Sequence, residues 1–176
     1  MLRAVIVGFG NIGHAVLETL LASADFEAAG VVSRSLAAGA LGDIPVVRDI
    51  EALPKPDVAI LCSPSRAVPD LAASLLEKGI CTVDSYDIHS SIYEVRQRLD
   101  AVAKAHSAAA VMSAGWDPGT DSMVRALLEA MAPKGIAYTS FGPGMSMGHT
   151  VAVKAIPGVK NALSMTIPLG TGIHRR

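Results

Sequence analysis

Residues 4–13 read AVIVGFGNIG. The apolar run Ala4-Val5-Ile6-Val7 has strand composition, and Ala15, Val16, Leu20 and Leu21 beyond the glycines have helical spacing. Gly8, Gly10 and Gly13 therefore fall between a strand and a helix in the order G-x-G-x-x-G. Alone the pattern is weak and describes any tight turn. In this setting each glycine has a separate purpose: Gly8 for the turn, Gly10 for backbone approach to a pyrophosphate, and Gly13 for helix-on-strand packing. The first helical turn, Asn11 and Ile12 with Gly13, offers unpaired N–H groups to the phosphates.

Working outward, strand-like and helix-like segments alternate. The spacing predicts strands at 5–8, 28–33, 45–47, 57–62, 80–84 and 108–113, and helices at 11–24, 68–78, 92–106 and 121–131. Uniformly apolar strands between helices predict an α/β fold, a Rossmann-type doubly wound parallel sheet with both faces covered. After Pro118 the pattern changes. A strand at 136–141, the glycine-rich loop GPGMSMGHT (142–150), a short helix at 151–156 and a strand at 162–167 predict the start of a second α+β domain. The expected division is 1–117 for the dinucleotide-binding Rossmann domain and 118–176 for part of a substrate-binding and dimerisation domain.

Composition narrows the classes of function. A net charge of −1 gives no electrostatic case for nucleic acid or an anionic membrane, and 4% aromatic residues leave little for base stacking. The five histidines show no metal-ligand spacing, so no metal is expected. Cys62 and Cys81 lie in apolar strand-like runs and read as reduced thiols rather than a disulfide. The first apolar run is too short for a signal-peptide core, and no stretch is long enough to span a bilayer. A cytoplasmic protein is expected.

The second strand ends in VVSRS, residues 31–35. A binder of NAD usually carries an acid on the ribose about 20 residues past the glycines. None is present. Ser33 and Arg34 can instead donate to a 2′-phosphate, which favours NADP, unless Arg34 is only a solvated surface charge. LCSPSRAVPD, residues 61–70, follows another strand end. Ser63 and Ser65 there either line the nicotinamide side or form a plain turn. Two further strand ends carry acids: TVDSYDIH (82–89) and SAGWDPGTDS (113–122). Asp87 and Asp117 project from the same sheet edge as the glycine loop. As a pair they suit an ammonium group, or a base that takes its proton; singly, each reads as a turn or helix cap.

GFGNIG, TVDSYDIH, SAGWDPG, GPGMSMGH and AIPGVKNALSMTIP, in that order along the chain, together resemble the meso-diaminopimelate dehydrogenase family. The resemblance implies NADP-dependent oxidative deamination at the D-centre of meso-2,6-diaminopimelate, giving L-2-amino-6-oxopimelate and ammonia, in a homodimer. It implies that Asp87 and Asp117 flank the reacting amino group and that Met147 and Gly148 hold the neighbouring carboxylate. Thr166 and Arg176 then meet the distal end, and Ser33 and Arg34 take the 2′-phosphate. Ser35 stands where many members have a second arginine. Phe141 replaces a frequent Trp and Met147 a frequent Gln, as in the subgroup with broader D-amino acid activity. Members continue well past the position of Arg176, so the chain is expected to be an N-terminal portion. As such it should bind NADP, self-associate, and turn over substrate barely or not at all. The alternatives are an NADP-binding module without turnover and an NADP oxidoreductase of the dihydrodipicolinate reductase type.

Overall fold

The computed structural model describes residues 1–135, 144–145, 147–168 and 174–175. The strand expected at 136–141 lies outside them, as do Phe141 and Arg176. The chain divides into two units, Met1–Ser122 and Met123–Arg176.

In the first unit, β1 (Leu2–Val7) runs into α1 (Asn11–Ala22) and β2 (Phe26–Val32). A short hairpin follows, β3 (Gly39–Leu41) and β4 (Ile44–Val47). Then come β5 (Val58–Leu61), α2 (Val68–Glu77), β6 (Cys81–Asp84), α3 (Ile92–Ala105) and β7 (Ala110–Val111). The sheet order is β3-β4-β2-β1-β5-β6-β7. Six of its strands are parallel, and β3 pairs antiparallel with β4 at the edge.

The apolar character of β1 follows from its central place. Alternate side chains of a strand face opposite ways. Val5 and Val7 pack with Leu75, Leu76 and Leu99 of α2 and α3, whereas Ala4 and Ile6 pack with Leu20, Val31 and Val46 beside Val16 and Leu17 of α1. Ala4, Val5 and Ile6 are fully buried. A polar residue at any of these positions would have no water and no partner. The helices thus cover both faces, as the doubly wound reading expects. The order of strands reverses between β1 and β5, and in such sheets the crevice beyond the strand ends at that point is where ligands bind.

The parallel expectation needs one correction. Gly39–Leu41 adds an antiparallel edge strand, made through its pairing with β4 rather than by any strong local preference. β7 is also shorter than the 108–113 expected. It ends at Val111, and Ser113 turns the backbone into the left-handed region at φ 59°.

The division into units falls within α4 (Thr120–Met131). The second unit contains β8 (Gly144–Met145), α5 (Met147–Lys154), β9 (Met165–Pro168) and β10 (His174–Arg175), with the antiparallel order β10-β9-β8. The segment expected as one glycine-rich loop, 142–150, therefore contains β8 and the first turn of α5. The helix begins at Met147 rather than at residue 151. Thr150 ties the helix to the segment before β9. Its buried hydroxyl oxygen accepts from the Ser164 amide at 2.9 Å, a tertiary tie that local composition does not signal.

Candidate functional site

Gly8 follows β1 at the point where the strand order reverses. Its N–H donates to the Val32 carbonyl at 2.9 Å, closing the turn against the end of β2. Its φ is +99°, and a β-carbon there would stand 2.5 Å from the Cys62 carbonyl oxygen at the end of β5. Only glycine meets both constraints. Gly13 is buried in α1, and a β-carbon on it would strike the Gly8 carbonyl oxygen. Gly10 differs from both. It flanks α1 with an extended backbone, and a β-carbon on it would meet nothing within 4 Å. Nothing inside the described protein demands glycine at this position, whereas close approach of a phosphate would. The first turn of α1 has no side-chain cap and no acid. Asn11 and Ile12 are exposed, so this helix end is open to an anion.

At the ends of β2 and β4 the chain builds a second corner. Ser33 is buried, and its N–H donates to the Val47 carbonyl at 2.9 Å. Its hydroxyl oxygen accepts from the Leu36 amide at 3.2 Å and lies 3.2 Å from the Ser35 hydroxyl. The hydroxyl thus folds residues 33–36 into a fixed turn. Arg34 is exposed on it, and Nη1 of Arg48 donates to the Arg34 carbonyl at 3.0 Å. The residues present fit a dinucleotide: a glycine cradle and an open helix N-terminus, with a serine-arginine turn at the neighbouring strand ends.

Beyond β5, the Ser63 hydroxyl donates to the Val7 carbonyl at 3.3 Å, tying β5 to β1 at the crevice. Ser65 opens a single 3-10 turn, Ser65–Ala67, that leads into α2. Cys62 is half-buried between Gly8 and Ser63, and burial pushes its thiol up to about 11. Burial therefore favours its protonated form.

The two acid-bearing loops leave adjacent parallel strands, β6 and β7. A residue that sequence reading passed over holds them together. Asp84, at the end of β6, is 97% buried from solvent, with 3% exposure. Its Oδ1 accepts from the Tyr86 amide at 2.9 Å and from the Ser113 amide at 3.1 Å. Its backbone carbonyl accepts from the Ala114 amide at 2.7 Å, and the Ser113 hydroxyl donates back to the Tyr86 carbonyl at 2.9 Å. Asp84 Oδ2 is buried without a hydrogen-bond partner among the described residues. The clasp fixes both loops, and each carries one exposed candidate, Asp87 or Asp117. Asp87 caps no helix: the 3-10 turn His89–Ser91 is flanked by Ile88 and has no side-chain cap. Asp117 accepts from the Ser122 hydroxyl at 3.4 Å within its own loop. That loop is closed by the Thr120 amide on the Gly115 carbonyl at 3.0 Å and the Asp121 amide on the Trp116 carbonyl at 2.8 Å.

Of the remaining sequence candidates, Met147 and Gly148 open α5 and Thr166 lies in β9. No group of three or more His, Cys, Asp or Glu suited to a metal occurs among the described residues. No helix there is long and apolar enough to cross a membrane.

The family described as the oxidoreductase family with an NAD-binding Rossmann fold matches residues 2–115, and the diaminopimelic acid dehydrogenase C-terminal domain matches residues 115–176. The chain belongs to this oxidoreductase family with an NAD-binding Rossmann fold. Within it, the chain is similar to meso-diaminopimelate D-dehydrogenases: it is 63% identical over 177 residues to that of Bacteroides fragilis, covering 99% of this chain and 59% of the relative. The chain thus spans little more than half the length of the curated relatives it matches. Among solved structures, the C. glutamicum DAP dehydrogenase in complex with DAP aligns with a TM-score of 0.79 and 35% identity, covering 95% of this chain and 52% of the other. An engineered D-amino acid dehydrogenase bound to NADP+ aligns at TM-score 0.80 and 32% identity, covering 95% and 53%.

Proposed function

We propose that this chain carries the cofactor-binding and acid-pair portion of an NADP-dependent dehydrogenase. The reaction is removal of the amino group from the D-centre of meso-2,6-diaminopimelate, with activity toward simpler D-amino acids. The observation that carries the reading is the Asp84 clasp. It fixes the loops of Asp87 and Asp117 together at the sheet edge from which the glycine loop also emerges.

Gly10, Asn11 and Ile12 meet the pyrophosphate on a turn that Gly8 and Gly13 shape, Ser33 and Arg34 take the 2′-phosphate, and Ser63 and Ser65 border the nicotinamide. The chemistry that NADP supplies when bound is acceptance of a hydride. Asp87 and Asp117 hold the substrate ammonium by charge-assisted hydrogen bonds. One carboxylate takes a proton from nitrogen, because an ammonium nitrogen has no lone pair to push as the C–H bond breaks. Hydride loss from the resulting amine leaves an iminium ion, and water converts it to the 6-oxo product and ammonium. Met147, Gly148, Phe141, Thr166 and Arg176 enter the proposal through the family resemblance alone, as contacts to the carboxylates and the distal end. Residues 1–117 are the dinucleotide domain in this reading and 118–176 part of a substrate and dimerisation domain. The working protein is a cytoplasmic homodimer.

Asp87→Asn and Asp117→Asn test the reading. Each variant should retain NADP affinity by calorimetry, and each should lose NADPH formation from meso-diaminopimelate by about 100-fold or more, the scale of a lost acid–base group. Undiminished NADPH formation in both variants would contradict the assignment.

A further inference from the structure

The turn at residues 33–36 has one arginine in its sequence, but its backbone is gripped by another. β2 and β4 are parallel neighbours, with Val32 opposite Val47. Ser33 and Arg48 are thus the first residues past two adjacent strand ends. The Ser33 amide on the Val47 carbonyl continues that pairing into the turn. From there Nη1 of Arg48 reaches the Arg34 carbonyl at 3.0 Å. A guanidinium has five N–H donors in a planar fork, and this contact engages Nη1 alone. The rest of the fork stays available, on a side chain already held against the turn.

The local charges point the same way. Neither Arg34 nor Arg48 has an ion-pair partner among the described residues. The adjacent acid, Asp49, is exposed but engaged elsewhere: its Oδ1 accepts from the Glu51 amide at 3.0 Å and caps the 3-10 turn Ile50–Ala52. Two exposed arginines at neighbouring strand ends, neither paired with an acid among the described residues, suit a dianion. Ser35 adds a small hydroxyl rather than a competing charge.

We propose that Arg48 is a second ligand of the cofactor 2′-phosphate and supplies, from the end of β4, the cation that Ser35 does not. The inference rests on reading Ser33–Arg34 as the 2′-phosphate turn. Arg48 then sets selectivity for NADP over NAD without touching the reacting end.

The test is calorimetric titration of this chain, and of its Arg34→Ala, Arg48→Ala and Arg48→Lys variants, with four probes: NADP+, NAD+, adenosine 2′,5′-bisphosphate and 5′-AMP. Arg48→Ala should weaken NADP+ and the bisphosphate by about 10-fold or more, as loss of a charged hydrogen bond does. NAD+ and 5′-AMP should be unchanged. Arg48→Lys should fall between, keeping the charge and losing the fork. Because Arg48 is exposed, unchanged NAD+ binding also reports an intact fold. If Arg34→Ala is selective and Arg48→Ala is not, the inference fails and the reading of the turn survives. If Arg48→Ala weakens all four probes alike, the inference fails as well. If Arg48→Ala is selective and Arg34→Ala is not, the inference stands and Arg34 loses its place in the site.

Discussion

At the scale of single residues, the three glycines of one motif separate by what surrounds them. Gly8 and Gly13 are required by the protein itself, since a β-carbon at either would collide with backbone. Nothing in the described protein requires glycine at Gly10, which the proposed function assigns to the approach of a phosphate. Gly10→Ala should therefore leave the melting temperature nearly unchanged, because glycine and alanine differ by a few tenths of a kcal/mol to about 1 kcal/mol at a helix N-terminal flank. It should weaken NADP by about 10-fold or more through the lost approach of backbone to phosphate. Gly13→Ala should lower stability by about 1–3 kcal/mol, the cost of overpacking, which thermal melting reads directly. Equal loss of stability in the two variants would contradict this division. The motif was legible in the sequence. The difference between its glycines was not, because it depends on where the ends of β2 and β5 come to rest.

At the scale of elements, the sheet edge is organised by short side-chain-to-backbone ties. Asp84 is the chief one for the acid loops. Asp84→Ala would strip the Tyr86 and Ser113 amides of their acceptor, at about 1–3 kcal/mol for the buried groups left unpaired. Asp84→Asn keeps one oxygen and should lose less. Chemical denaturation should rank wild type, Asn and Ala in that order, and indifference to the alanine would refute the clasp. Sequence reading put Asp87 and Asp117 beyond the ends of two successive strands, and β6 and β7 are indeed neighbours. It missed Asp84 because period and composition do not tell a buried, hydrogen-bonded acid from a solvated one three residues away. It missed β3, β8 and β10 for a related reason. Strands of two or three residues are made by their partners, and no apolar alternation is long enough to announce them. Arg48 was equally hidden: it lies 14 residues from Arg34 in sequence and meets it only because β4 pairs with β2.

At the scale of the whole molecule, much apolar surface is exposed. On α4, Met123, Val124, Leu127, Leu128 and Met131 form one stripe at helical spacing, and Leu127 is 65% and Met131 81% exposed. Contiguous apolar surface of this kind promotes association. Light scattering should show the chain self-associating as its concentration rises, and Leu127→Glu with Met131→Glu should reduce it; an ideal monomer at all concentrations would contradict this. The doubly wound sheet was legible from residues 4–13 outward, because uniformly apolar strand runs alternate there with segments of helical spacing. The remaining claim is chemical: the site acts at a D-centre. The direct measurement is NADPH absorbance when the chain and NADP+ are given meso-, L,L- or D,D-diaminopimelate, with the ratio of rates carrying the result. Whatever NADPH forms is predicted to come from the isomers with a D-centre and not from L,L-diaminopimelate. Oxidation of L,L-diaminopimelate as fast as the meso form would contradict it.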